Sequence, residues 1–147
     1  MKSQSSSVGN NINSRIEEFL GTGVDFNTSF RERLIPASGR TPFRGLFLHV
    51  DDQPAIHEAV RSRKPLYAPD AVFDGASYIE RYAIGLRRMI EQNVYDSACL
   101  FSSTAEGVER GTYRTYDEDL SIEAFLYDLA FHVSSAVHRR GVSVRRG

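Results

Sequence analysis

Two short apolar runs set the limits on the fold of this chain. Leu46-Phe47-Leu48-His49-Val50 lies between Gly45 and Asp51-Asp52, and Ala98-Cys99-Leu100-Phe101 closes on Ser102-Ser103-Thr104. Each has the length and apolar density of a strand covered on both faces. Two such strands leave bare edges and too little surface to seat several helices. Yet the chain has three helical patterns. Ile12, Ile16, Phe19, Leu20 and Val24 fall at helical spacing within about residues 11–33, with Asn10 or Asn11 placed as the cap. Ser77-x-x-Glu80 is a capping box, and it opens a helix to about Asn93 with Ile79, Tyr82, Ala83, Leu86, Met89 and Ile90 on one face. Ser121 or Asp119 caps a last helix, in which Ile122, Phe125, Leu126, Leu129, Ala130, Val133 and Val137 keep one apolar stripe.

The order helix, strand, helix, strand, helix predicts an α/β layered domain. Either the polar loops hide further strands or the missing strands lie elsewhere in something larger. Residues 53–75, with three prolines and a glycine, read as a long connection holding at most a helical turn around Ile56 to Val60. With 147 residues, 41% hydrophobic and 25% charged, one domain can bury a full core. The single cysteine, Cys99, excludes an internal disulfide, and its apolar neighbours read as inert core. No run reaches the roughly 18 apolar residues of a membrane span, and Met1-Lys2-Ser3-Gln4-Ser5 leads into no apolar signal segment, so a cytoplasmic protein is expected.

The net charge of −1 does not by itself announce a polyanionic partner. Of the 18 basic residues only Lys2 and Lys64 are lysine, and arginine is the better fork for phosphate and for guanine edges. Arginine-rich coding explains the same composition. Residues 138–147 carry Arg139, Arg140, Arg145 and Arg146 and no acid, which reads as a flexible basic tail.

Lys2 to Arg15 is the most unusual stretch. Gln4, Asn10, Asn11 and Asn13, with a glycine, several hydroxyls and two cations, crowd the start of a helix, where unpaired N–H groups favour an anion. A polar N-terminus ending in a cap has the same composition. His49-x-Asp51-Asp52 reads as a metal-binding strand end or as a solvated turn. Asp117-Glu118-Asp119 has the density of a cation site, though the dipole of the helix behind it also favours acids there.

The Lys2–Arg15 stretch resembles XhoI-like type II restriction endonucleases of the PD-(D/E)XK superfamily. There an E-x-K signature runs through a Ser/Gln turn into an N-N-x-N-x-R stretch. The likeness continues through Gly45-Leu46-Phe47-Leu48, Ala76-Ser77-Tyr78-x-x-Arg81-Tyr82, Arg87-Arg88, Tyr95-Asp96-x-Ala98-Cys99 and Tyr113-Arg114 to Asp119-Leu120-Ser121. It implies a restriction-endonuclease-like three-layer α/β core, here without its N-terminal strands. It also implies magnesium-dependent cutting of double-stranded DNA at a short palindromic site by a homodimer. Lys2 matches the signature lysine and Gln4 the next step on the same face of the strand. Asn10, Asn11, Asn13, Arg15, Tyr113 and Arg114 are implied as DNA-binding. The glutamate of E-x-K and the signature aspartate would precede Met1, so residues 1–147 are expected to be a C-terminal part of the catalytic domain, with no metal ligand of their own and no cutting activity alone. A non-catalytic DNA-binding remnant and a small immunity-type interaction protein are the competing expectations.

Overall fold

The structure, a computed structural model, describes residues 8–35, 41–60 and 70–144, the side chains of 8–11, 13 and 139–144 excepted. Helix α1 (Val8–Arg31) leads to strand β1 (Gly45–Asp51), followed by a single helical turn at Pro54–His57. Helix α2 (Tyr78–Glu91) precedes strand β2 (Ser97–Ser103), short helix α3 (Ala105–Arg110), the two-residue strand β3 (Arg114–Thr115) and helix α4 (Ile122–Val144).

The expected α/β architecture is present as a mixed sheet of order β1-β2-β3, compatible with a restriction-endonuclease-like core. β1 and β2 run parallel in the register Gly45↔Ser97 to Asp51↔Ser103. β3 is the strand hidden in the polar loop, and it lies antiparallel to β2 with Phe101↔Thr115 and Ser102↔Arg114.

Alternation along the strands sorts residues into layers. Leu48, Val50, Ala98 and Leu100 face α1 and α2, and join Ile12, Phe19, Ile79, Tyr82, Leu86, Met89 and Leu120 in one buried cluster. On the opposite face Phe47 meets Phe101 and the Phe125 ring of α4, with centroids 5.1 and 5.8 Å apart. The molecule is therefore three layers deep: α1 and α2, then the sheet, then α4.

The α2 capping box forms as the sequence requires. The Ser77 backbone N–H donates to Glu80 Oε2 at 2.7 Å and the Ser77 hydroxyl accepts from the Glu80 N–H at 3.4 Å. Ser121 caps α4 by accepting from the Ala124 N–H at 3.1 Å. α1 begins earlier than its apolar stripe suggests. It is already helical at Val8, so Asn10 and Asn11 are interior residues and not caps. α4 continues past Val137 to Val144, and the backbone of residues 138–144 is helical. No proline interrupts it.

Of Gly21 and Gly23 inside α1, only Gly23 meets a neighbour. A Cβ there would stand 2.4 Å from Val94 Cγ1, whereas one at Gly21 would meet nothing within 4 Å. Gly45 opens β1 because Phe125 of α4 crosses it, 2.7 Å from where a Cβ would lie. No helix among the described residues is long and apolar enough to cross a membrane.

Candidate nucleic-acid interface

The two ends of the parallel pair differ in chemistry. Where β1 and β2 begin, Arg44 binds the Asp96 carboxylate through Nε at 3.0 Å, through a second contact from Nη2, and through its backbone N–H at 2.7 Å. Its Nη1 donates to Asn27 Oδ1 of α1 and to the Asn93 carbonyl, both at 2.7 Å. Burial would raise the pKa of Asp96, but the hydrogen bonds from Arg44 outweigh it and hold the carboxyl below the usual range. This end is closed, and it carries the C-terminal half of α1.

Where the strands finish, the polar groups are held more loosely and the arginine is more exposed. Because α1 runs back from this end, its first turns lie on the same side as the termini of β1 and β2. Beyond Asp51, the Asp52 N–H donates to the Ser103 carbonyl at 3.0 Å and prolongs the pairing by one residue. The Asp52 carboxylate then accepts from His57 Nε2 at 2.7 Å and lies 3.9 Å from Arg114 Nε. The Asp52 side chain is 16% exposed, and the Arg114 side chain is 60% exposed. The His57 ring leans on Tyr116 at 5.8 Å, and the Tyr116 hydroxyl shares a hydrogen bond with Ser102 Oγ. Burial raises the Tyr116 pKa; the Ser102 bond opposes it and the Asp52 charge reinforces it. One half-buried carboxylate thus accepts from His57 and faces the outward Arg114 at the end of a parallel pair, where open α/β sheets place their ligands.

The expected site residues divide. Lys2 and Gln4 lie outside the described residues. Asn10, Asn11 and Asn13 occupy the first turns of α1, with side chains outside the described set. Arg15, one turn further, donates to Glu18 Oε2 at 2.9 Å on the surface. Arg114 stands in the Asp52 group, but Tyr113 does not. Its ring rests on Phe101 at 5.8 Å and its hydroxyl donates to Glu123 Oε1 at 3.0 Å, toward α4. The Glu123 hydrogen bond and its charge raise the Tyr113 pKa.

His49, Asp51 and Asp52 take separate partners, Ser103 Oγ at 2.7 Å, Gln53 Nε2 at 2.7 Å and His57. Asp117 is likewise occupied, capping the turn at Glu118–Leu120 and binding Arg87. Among the described residues no three His, Cys, Asp or Glu side chains gather to hold a metal ion. His57 and Tyr116 had no signal of their own in the sequence. Asp51-Asp52 after an apolar run and Tyr113-Arg114 marked two of the three segments that meet here.

Residues 1–115 match the family described as "Restriction endonuclease XhoI". The chain is 36% identical over 129 residues to the type II restriction enzyme BstVI of Geobacillus stearothermophilus, covering 88% of this chain and 57% of that protein. It is 38% identical over 84 residues to the type II restriction enzyme XhoI of Xanthomonas vasicola, covering 57% of this chain and 34% of that one. The chain therefore spans from about a third to somewhat over half of these relatives. No solved structure matches. With the matched stretch running from residue 1 through both parallel strands and β3, the chain belongs to the XhoI restriction endonuclease family.

Proposed function

We propose that residues 1–147 belong to a type II site-specific deoxyribonuclease of a restriction-modification system, a homodimer that acts in the cytoplasm on a short palindrome in double-stranded DNA. The reading rests on the family match over residues 1–115 and on two relatives that are both named type II restriction enzymes. In it, the first turns of α1 and the open ends of β1 and β2 form the DNA side. Arg114 contacts a phosphate while Asp52 fixes its direction, His57 holds Asp52 in place, and Asn10, Asn11, Asn13 and Arg15 follow the backbone from α1. Tyr113 supports this edge from the α4 side. Lys2 stands beside the attacking water and Gln4 next to it.

Magnesium supplies the activation of water and the shielding of the scissile phosphate in this class. The described side chains do not fit a metal site, so none is assigned to the ion and no step is derived through it. Residues 1–147 alone accordingly bind DNA without cutting it. Robust magnesium-dependent cutting by this chain alone would refute that part. In a protein that also carries the family's acidic strands on the N-terminal side, Lys2→Ala removes most of the activity; a variant as fast as its parent overturns the assignment of Lys2.

Duplex binding followed by fluorescence anisotropy across a salt series tests the DNA side. Each lost phosphate contact lowers the log–log salt slope by about 0.9, so one contact reduces the affinity lost between about 50 and 200 mM salt by roughly 3.5-fold. Arg114→Ala and Arg15→Ala each flatten the slope by that amount. Arg31→Ala, at the far end of α1, leaves it unchanged. A folded protein that binds no duplex even at low salt, or an Arg31→Ala effect equal to that of Arg114→Ala, contradicts the proposed interface.

A further inference from the structure

Helix α4 carries more apolar surface than the sheet covers. Its inner side holds Phe125 against Phe43 and Phe47, and His132 lies 5.5 Å from the Phe43 ring. On its outer side Leu126 is 54%, Tyr127 73%, Phe131 67%, Val133 51% and Val137 64% exposed. Scattered apolar residues at a surface need no explanation, but a contiguous band along one helix does.

The band has a coiled-coil period. Leu126, Ala130, Val133 and Val137 are spaced by four, three and four, the interval of a heptad seam. One further step in each direction reaches Glu123 and Arg140, so the seam ends in an acid at one end and a base at the other. It is also symmetric about its own midpoint. A two-fold axis between positions 131 and 132 sets position 126 opposite 137, 130 opposite 133 and 123 opposite 140. Apolar positions then meet apolar ones, and at both ends a glutamate position meets an arginine position. Parallel pairing in register would instead set glutamate against glutamate and arginine against arginine. Antiparallel pairing also aligns the two helix dipoles favourably. Small Ala130 at the centre lets the helices approach closely. From position 123 to position 140 the seam is about 26 Å long at 1.5 Å per residue.

We propose that the outer face of α4 is a self-complementary interface that binds α4 of a second copy of this chain in antiparallel fashion. This deepens the homodimer reading given above, on which it rests for its two-fold symmetry, by naming the surface and the register.

Sedimentation equilibrium of the 147-residue protein reads the interface directly. Val133→Asp sets a carboxylate beside the axis in each copy, at a position half exposed in the monomer. The expected result is a dissociation constant raised at least about tenfold, with circular dichroism and monomer melting unchanged. Glu123→Arg weakens the dimer and Glu123→Arg with Arg140→Glu restores it. Tyr113→Phe, which removes only the hydrogen bond that Glu123 accepts within its own chain, leaves it intact. A dimer untouched by Val133→Asp sinks the α4 interface and leaves the homodimer reading standing. A double variant as weak as the single one overturns the antiparallel register. A wild-type chain that stays monomeric, free and on DNA, overturns both.

Discussion

Gly21 and Gly23, two residues apart in α1, should respond oppositely to alanine. Both lie inside a helix, where glycine costs about 0.5–1 kcal/mol relative to alanine through backbone entropy. At Gly21 a Cβ meets nothing within 4 Å, so Gly21→Ala should recover that amount. At Gly23 the new methyl would stand 2.4 Å from Val94 Cγ1 and 3.1 Å from the Tyr95 ring. Neither neighbour yields readily. Val94 is buried and β-branched, and the Tyr95 hydroxyl is tied to the Phe19 carbonyl at 2.7 Å. Overpacking of this kind costs about 1–3 kcal/mol, so after the entropic gain Gly23→Ala should destabilise by about 1–2 kcal/mol. The two variants should then differ by about 1.5–3 kcal/mol, which at roughly 2–4 °C per kcal/mol for this chain length separates their melting temperatures by about 3–12 °C. Urea unfolding followed by circular dichroism measures the difference, with unchanged slopes as the check that only the native state moved. Gly23→Ala as stable as Gly21→Ala would refute the close contact between α1 and the turn before β2. It would also undercut the orientation that brings the first turns of α1 to the ends of the strands.

Arg44→Met should cost about 2 kcal/mol, below the 3–5 kcal/mol of a fully buried pair because the Asp96 side chain is a third exposed. The Asp96 pKa is lower in the folded protein than in the unfolded chain, so the stability it contributes is fully present above about pH 4 and is lost as pH falls through the folded value. The gap between wild type and Arg44→Met in urea should therefore narrow on acidification, and a gap that widens would show that another group sets the acid limb. Cys99 is buried, and burial together with the Glu123 charge pushes its thiol up to about 12. A thiol-specific disulfide reagent at mild alkaline pH should react with it only after unfolding in urea; prompt reaction of the folded protein would show that β2 is open on its α4 face.

What the sequence discloses depends on how local each signal is. The α2 helix was legible to within a residue or two because Ser77 and Glu80 satisfy each other's backbone partners within four residues. The strands were legible because four or five residues in a row, apolar but for His49, between polar turns have few other uses. β3 was not, since two exposed residues carry no period, and α3 is too short to show one. The Asp52 group is illegible for another reason. Its carboxylate, His57 and Arg114 come from three segments, and the parallel register that unites them is set by the core facing α1 and α2. α4 marks the opposite limit. Its apolar period showed that the helix is amphipathic, but the same spacing serves residues against the sheet, such as Phe125, and residues left outside, such as Phe131.

The unequal ends of the sheet tie stability to the proposed chemistry. At the end where β1 and β2 begin, one arginine joins α1, the turn after α2 and both strand starts, and every charge it meets is answered within the fold. At the other end the ladder stops at Asp51 and Ser103, and the Asp52 carboxylate lies 3.9 Å from Arg114 Nε, beyond a normal hydrogen bond. Such a pair adds little to stability, since exposed ion pairs contribute at most about 1 kcal/mol. In the proposed role it therefore costs little to transfer Arg114 to a phosphate, while Asp52, held by His57 and by the backbone of Ser103, stays in place. A closed end anchors α1, and an open end with a lightly held arginine suits the proposed capture and release of a polyanion.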